Sequence, residues 1–147
     1  MRRAASAAVV LVCLLAGCGG KSEAEKEREA AAKSGQGTVT CSGSAMAGAT
    51  GLPADFPSID GITFVTAKKS GPTQTVDGYA NSSLKDLYEQ YQTGMKAAGY
   101  EILFDEREGD SDAEVSYRAG DKSSTGIVAL RNCDADKTSV HITNRPS

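Results

Sequence analysis

The first 18 residues decide which part of this chain folds and in which compartment it does so. Arg2 and Arg3 form a short basic start, and residues 4–16 form an apolar stretch of 13 residues that is interrupted only by Ser6. This stretch is too short for a transmembrane helix, which needs about 20 apolar residues to cross a bilayer. A basic start before a short apolar core predicts a cleavable export signal, so the rest of the chain is expected to fold outside the cytoplasm.

The apolar stretch ends in Leu15-Ala16-Gly17-Cys18, which resembles the lipobox of bacterial lipoprotein signals. The resemblance implies a signal peptide at residues 1–17 and a diacylglyceryl thioether on Cys18, which becomes the mature N-terminus. Two acyl chains, at about 0.8 kcal/mol per buried methylene, make a stable anchor where one chain is marginal. The alternative is an ordinary signal peptide that is cut after a small residue and leaves Cys18 unmodified.

Removal of residues 1–17 changes the charge of the chain. Arg2 and Arg3 leave, so 14 of the 16 basic residues remain against all 19 acidic residues, a formal net charge of −5. The mature chain has no basic cluster that could neutralise a run of phosphates, which argues against nucleic-acid binding. It also has little attraction to anionic lipid head groups, so the acyl anchor on Cys18 is the expected contact with the cell membrane.

The cysteines predict one disulfide. Of the four cysteines, Cys13 leaves with the signal and Cys18 carries the lipid, so Cys41 and Cys133 remain. Thiols in an oxidising compartment tend to pair, and a bridge closing a loop of roughly 90 residues is worth about 4–5 kcal/mol in the loop-entropy model. A metal site is the weaker alternative, because only two thiols and the single histidine, His141, are available as soft ligands.

Residues 18–51 are expected to form a tether between the anchor and the folded domain. Residues 19–37 hold four basic and four acidic residues and no aromatic or β-branched residue. They also lack the apolar a and d positions that a coiled coil requires, so a spacer is the favoured interpretation. Residues 38–50 are small and glycine-rich, and only Cys41 is expected to hold them. The small folded domain is therefore placed at residues 52–147.

Residues 83–99 carry the clearest helix pattern in the chain. Ser83 and Asp86 resemble a capping box, and Gly99 supplies a left-handed stop. Apolar residues recur at intervals of three or four between these ends, at Leu84, Leu87, Tyr88, Tyr91, Met95 and Ala98. Tyr88 and Tyr91 could stack on a ligand, but packing in the core with both hydroxyls at the rim is the favoured interpretation.

Strand patterns surround this helix. Two prolines bracket Phe56 in an extended entry at residues 52–57, and residues 62–66 and 73–79 then form a hairpin. Four further strands are predicted after the helix, at residues 100–106, 113–118, 125–132 and 138–143. The resulting order β-β-α-β-β-β-β predicts an α+β domain, an antiparallel sheet with one amphipathic helix packed on one face.

The entry Pro53-Ala54-Asp55-Phe56-Pro57, the hairpin, the helix that runs into Ala97-Ala98-Gly99-Tyr100 and the strands that follow resemble a class of small bacterial lipoproteins of the actinobacterial type. The resemblance covers roughly residues 52–143. Its motifs are structural, so it implies an extracytoplasmic location and this topology and carries no activity over to this chain.

The sequence offers little for catalysis. It has no Gly-x-Ser-x-Gly elbow, and any triad would depend on His141. In the predicted last strand His141 points away from Val140 and Ile142, which places it at a solvated or rim position. No catalytic residue, metal ligand or cofactor site is therefore assigned, and enzyme activity is not expected.

The densest acidic patch consists of Asp105, Glu106, Glu108, Asp110, Asp112 and Glu114. Residues 110–114 have the alternating oxygen ligands that begin a calcium loop, but the glycine at the sixth place and the distal glutamate are missing. A solvated hairpin tip is the favoured interpretation, and a calcium site is the alternative.

Two functions follow as hypotheses. The first is a non-catalytic binding or interaction module of the cell envelope, which would use an envelope protein or a small ligand as partner. It would bind through the uncovered sheet face or an edge strand. The second is a small cell-envelope hydrolase, or an accessory factor of one, with His141 and nearby carboxylates involved. A pocket that holds His141, a buried carboxylate and a serine favours the second, and a shallow apolar face favours the first.

Overall fold

The computed structural model of this chain describes residues 39–134 and 136–147. The signal peptide at residues 1–17, Cys18 and the tether as far as residue 38 lie outside the described residues. The described part forms one antiparallel sheet of six strands and one helix, which confirms the predicted α+β class. In chain order the elements are β1 (Ile62–Ser70), β2 (Thr73–Ala80), α1 (Leu84–Ala97), β3 (Glu101–Glu108), β4 (Asp112–Arg118), β5 (Ser124–Asp134) and β6 (Lys137–Pro146).

The sheet has the strand order β1-β2-β6-β5-β4-β3, so β1 and β3 are its two edges. Strands β3 to β6 form a meander of antiparallel neighbours, and β1 and β2 form a hairpin that joins the sheet through β6. Helix α1 connects β2 to β3 at the far edge, and it packs against β3, β4, β5 and β6. It therefore crosses one face of the sheet.

Several strands run further than the sequence pattern predicts. β1 continues to Ser70, and the β5–β6 ladder extends from the pair Ser124–Pro146 to the pair Asp134–Lys137. Apolar alternation reports burial of side chains, whereas the ladder is held by backbone hydrogen bonds that polar residues make equally well. In β1 and β6 the predicted residues are therefore the more buried part of a longer strand.

Local side-chain and backbone contacts define both ends of α1. Ser83 Oγ accepts a hydrogen bond from the Asp86 N–H at 3.2 Å and donates one to the Asp86 carboxylate at 2.7 Å. At the other end Gly99 has a φ of +79°, and the Tyr100 N–H donates to the Met95 carbonyl at 2.9 Å. The predicted helix ends are thus observed. Among the described residues no helix has the length and apolar character needed to cross a membrane.

The buried side of α1 carries Leu84, Leu87, Tyr91 and Met95. Tyr91 is almost fully buried, and burial raises the pKa of its phenol. The prediction of a rim position for its hydroxyl is wrong, because Tyr91 is only 1% exposed and belongs to the buried core. Tyr88, one turn closer to the helix start, is half-buried and its hydroxyl donates to Asp105 Oδ2 at 2.8 Å.

Alternate residues of each central strand form the other half of the core. Ala113, Val115 and Tyr117 of β4 are buried, while their neighbours in the strand are half-buried. The entry before β1 closes one end of this core, as the Phe56 ring packs edge-on against Tyr100 and Tyr117 with centroid distances of 6.1 and 5.5 Å. Leu52 and Phe56 pack on the core as predicted. The prediction that residues 52–57 run extended is wrong, because the chain turns there and the Phe56 N–H donates to the Pro53 carbonyl at 3.0 Å.

Residues 39–51 lie against the sheet, although the sequence analysis placed them in the tether and expected only Cys41 to hold them. The Thr40 N–H donates to Ser139 Oγ at 3.0 Å, and the Gly43 carbonyl accepts from the Tyr79 hydroxyl at 3.0 Å. The Met46 N–H then donates to the Phe64 carbonyl at 2.8 Å. Small residues let the backbone approach the sheet closely enough to make these bonds. The segment therefore contacts β6 and β2 first and then the edge of β1.

Candidate functional site

The two faces of the sheet differ in what covers them. Helix α1 and the buried side chains of β4 share one face, and Asp112, Glu114, Ser116 and Arg118 of β4 alternate onto the other. We call this second face the open face. Residues 39–46 cover it at one end, where Ser139 and Tyr79 contact them. The remainder of the open face and the edge strand β3 are the surfaces on which a partner could bind.

Cys41 and Cys133 form a disulfide, as predicted. The two residues are 92 positions apart in sequence and their Cα atoms are 6.0 Å apart. The bond joins residues 39–51 to the end of β5 on the open face. Disulfides of this kind persist in oxidising compartments.

His141 belongs to a hydrogen-bonded network on the open face. Its Nδ1 atom lies 2.6 Å from Asp77 Oδ1, and Asp77 is its direct register partner on β2. The other carboxylate oxygen of Asp77 accepts from Thr66 Oγ1 at 3.0 Å. His141 Nε2 lies 3.3 Å from the Thr143 hydroxyl two residues further along β6. One chain of side-chain hydrogen bonds therefore links β1, β2 and β6.

This network is more buried than the sequence analysis expected. His141 does point away from Val140 and Ile142, but its side chain is only 12% exposed and that of Asp77 only 13%. The prediction of a solvated or rim position for His141 is therefore wrong. The reason is that Asp77 on the neighbouring strand β2 and Thr143 on β6 itself stand beside the imidazole and satisfy both of its nitrogens.

Thr143, His141 and Asp77 have the order of contacts found in a nucleophile–base–acid triad. Acyl transfer also requires donors aimed at the oxyanion that develops on the substrate. Strand β6 lies between β2 and β5, so the backbone N–H groups around Thr143 are engaged in ladder bonds. Without free backbone donors beside the hydroxyl, this arrangement is better suited to holding strands together than to catalysis.

A shallow cavity of about 420 Å³ opens on the other half of the open face. The carboxylates that line it lie in cross-strand pairs, Glu106 opposite Glu114 and Glu108 opposite Asp112. Arg131 lines it from β5, and its Nε lies 3.2 Å from Asp112 Oδ1. Burial raises the pKa of Glu114, the nearby carboxylates raise it further and Arg131 opposes them. The cavity is therefore a region of negative potential.

The acidic residues proposed as the alternative calcium loop do not converge on one point. Arg107 donates to Asp110 at 3.0 Å and to the Gly109 carbonyl at 2.7 Å, while Asp112 pairs with Arg131. In residues 39–134 and 136–147 no group of three or more histidine, cysteine or acidic side chains is arranged to hold a metal ion. The hairpin tip between β3 and β4 is instead organised by arginine pairs.

Strand β3 is the freer of the two edges. Within residues 39–134 and 136–147 it pairs with β4 alone, and its residues from Leu103 to Glu108 are all exposed. A bulge between Ile102 and Phe104 shifts the register, and Leu103 and Phe104 remain 48% and 52% exposed. On the helix side, Asp105 is held by Tyr88 and by a hydrogen bond from Gln92 Nε2. Strand β3 is thus tied to α1 while its outer edge faces solvent.

Comparison of the chain with protein-family models finds no matching family. Comparisons with curated proteins and with solved structures also find no significant match. The open face and β3 are therefore the features of the chain that bear on its function.

The sequence analysis missed the Asp77–His141 pair and the exposed apolar pair Leu103–Phe104. Asp77 lies in a predicted strand, but only the register of β2 against β6 brings it to His141. Leu103 and Phe104 lie in a run that predicts a half-buried strand, and nothing in the run shows that the strand is an edge. A bulge, which places adjacent apolar residues in exposed positions, has no reliable signal in one sequence.

Proposed function

We propose that this protein is a lipoprotein of the cell envelope, anchored through Cys18 on the extracytoplasmic face of the cell membrane, whose domain is a non-catalytic binding module. The lipobox-like residues 15–18 support the anchor. The Cys41–Cys133 disulfide supports an oxidising location outside the cytoplasm. The resemblance to small lipoproteins of the actinobacterial type is part of the same proposal.

The observation that carries the binding function is the free edge of β3. Leu103 and Phe104 are adjacent, about half exposed and placed where, among the described residues, the outer side of β3 has no neighbouring strand. Exposed edge strands favour unwanted pairing, so proteins usually shorten or cover them. The other edge is partly covered in this way, since the Met46 N–H donates to the Phe64 carbonyl. A bare edge with an apolar pair is typical of a binding surface.

The anchor is tested by growing cells with radiolabelled palmitate and fractionating the full-length chain. Wild type should incorporate label and sediment with membranes, whereas Cys18→Ala should lose both properties. Cys13→Ala is the matched control, because it removes a cysteine from the apolar stretch and should retain label and sedimentation. Incorporation of palmitate by Cys18→Ala, or no incorporation by wild type, would contradict lipid anchoring at Cys18.

The binding function is tested by site-specific photo-crosslinking of the full-length chain in its native membrane. A photoreactive residue at position 104 should give a discrete adduct. The same residue at the exposed position 96, on the outer side of α1, should give none. Equal products from both positions, or none from position 104, would argue against a binding surface at β3.

The contacts between Thr143, His141 and Asp77 are the basis of a second, testable function. In this alternative the protein is a small cell-envelope hydrolase or an accessory factor of one. If Thr143 is a nucleophile, hydrolysis of a p-nitrophenyl ester by the purified full chain should be lost in Thr143→Val. If the domain is a binding module, wild type and Thr143→Val should not differ from each other. The geometry favours the second result, because no backbone donor beside Thr143 is free in the described part of the chain.

A further inference from the structure

We propose that strand β3 binds an extended, cationic segment of a partner protein, which adds to the sheet as a seventh strand. This inference rests on the proposed binding function and names the class of partner. The proposed site consists of the outer backbone edge of β3, the apolar pair Leu103–Phe104 and the carboxylates of β3 that alternate on the open face.

The backbone of β3 offers the first part of the site. In an edge strand, alternate N–H and C=O groups point away from the sheet and can pair with another chain. Strand β3 is eight residues long, and Tyr88 and Gln92 hold it to α1 through Asp105. An added strand would therefore meet an ordered template, which lowers the entropy cost of binding.

The side chains of β3 offer the second part. After the bulge, Phe104, Glu106 and Glu108 alternate on the open face, opposite Ser116, Glu114 and Asp112 of β4. A neighbouring strand would present every second side chain to this same face. An apolar residue would then contact Phe104, and residues two and four positions along would face Glu106 and Glu108.

The negative charges beside β3 favour a positively charged partner. Glu101 is paired with Arg118, and Asp112 is paired with Arg131. In the described part of the chain, Glu106, Glu108 and Glu114 have no ion-pair partner, and they lie together around the cavity next to β3. Lysine or arginine at alternate positions of an added strand would complement these carboxylates, and the attraction would weaken as salt is raised.

The same charges disfavour a second copy of this chain as the occupant. Strand β3 carries four acidic residues, Glu101, Asp105, Glu106 and Glu108, against the single basic residue Arg107. Pairing two such edges would bring like charges together, which is destabilising in a sheet. The edge is therefore protected against self-association and remains open to a basic strand.

The test uses the detergent-solubilised full chain and a synthetic peptide about ten residues long, in which lysine and threonine alternate and one central lysine is replaced by leucine to contact Phe104. Binding is measured by fluorescence anisotropy, and amide hydrogen exchange reports which strand is protected. A peptide that is N-methylated at every residue has the same charge but has no backbone N–H to donate to a ladder. We expect the unmodified peptide to bind and to slow exchange in β3, and the methylated peptide to bind at least about tenfold more weakly.

Two variants with the same charge change locate the contact. Glu106→Lys should weaken peptide binding by at least about tenfold. Asp60→Lys, at an exposed position just before β1 at the opposite edge of the sheet, should leave it within about twofold. Equal weakening by both variants, equal affinity for the methylated peptide, protection outside β3, or a dimer formed through β3 would each overturn the proposal.

Failure of this inference can be told from failure of the binding function. If position 104 gives a specific crosslinked adduct but the cationic peptide does not bind, the module binds a partner of another class. If neither the adduct nor peptide binding is seen, both proposals are wrong.

Discussion

Tyr117 of β4 lies directly opposite Gly126 of β5, and its phenol fills the space that a side chain at position 126 would need. A Cβ atom on Gly126 would meet the Tyr117 hydroxyl and the Thr143 carbonyl oxygen. The absence of that atom lets the hydroxyl of Tyr117 pass over β5 to β6, where it lies 3.0 Å from Asn144 Oδ1 and 3.2 Å from the Thr143 carbonyl. The pair thus connects three strands inside the core.

We expect Gly126→Ala to lower the free energy of unfolding by about 1–3 kcal/mol, because the added methyl group has to displace the Tyr117 ring or the backbone of β6. Urea unfolding of wild type and variant measures the change. Thr125→Ala, at the exposed neighbouring position of β5, is the control and should change stability by less than about 0.5 kcal/mol. A variant as stable as wild type would show that the ring can move without cost.

The Cys41–Cys133 bond closes a loop with a sequence separation of 92 residues. Loop entropy predicts that removing such a bond costs about 4–5 kcal/mol of stability. We expect the double variant Cys41→Ser, Cys133→Ser to unfold at clearly lower urea concentration than wild type. Reductant should destabilise wild type to the level of the variant and leave the variant unchanged. Insensitivity of wild type to reductant under unfolding conditions would contradict a stabilising bond.

The buried Asp77–His141 pair should matter for stability. Asp77→Ala leaves His141 Nδ1 and the Thr66 hydroxyl without their partner, and we expect a loss of about 1–3 kcal/mol. Asp60→Ala, at an exposed position before β1, should change stability by less than about 0.5 kcal/mol. In a double-mutant cycle with Thr66→Val, the losses should be less than additive because the two side chains share one hydrogen bond. Strict additivity would mean that the residues act independently.

Glu114 should make stability depend on pH. Burial and neighbouring carboxylates raise its folded-state pKa above the ordinary value of 4.5, so the folded state disfavours the ionised form. The contribution of neutral Glu114 to the free energy of unfolding is therefore fully present at low pH, and it is lost as the pH rises through the raised pKa. Glu114→Gln stays neutral and should match wild type near pH 3.

At pH 7 Glu114→Gln should be more stable than wild type, by a few tenths to about 1 kcal/mol. Thermal unfolding at both pH values measures the difference. Glu106→Gln should act in the same direction, because Glu106 lies opposite Glu114 and adds to its repulsion. Lower stability of Glu114→Gln at pH 7 would show that the attraction of Arg131 outweighs burial.

Local signals in the sequence were enough for the helix and for the disulfide. The Ser83 cap, the apolar spacing and Gly99 all act within a few residues of α1, so the pattern and the structure agree closely. Cys41 and Cys133 were the two cysteines left for each other once Cys13 and Cys18 were assigned to the signal and the anchor. The alternating strands after Gly99 likewise predicted an antiparallel sheet, although their ends extend further.

The candidate site was beyond the reach of the sequence because it depends on which strands become neighbours. The sequence by itself determined one helix, the alternating strands and the cysteine pair, since backbone propensity, hydrophobic period and thiol count are local or compositional properties. Only the tertiary structure decided that Asp77 faces His141, that residues 39–51 cover one edge and that β3 is left as the other. Strand order and register are settled by packing of the whole sheet, which sums many weak contacts between residues distant in the chain.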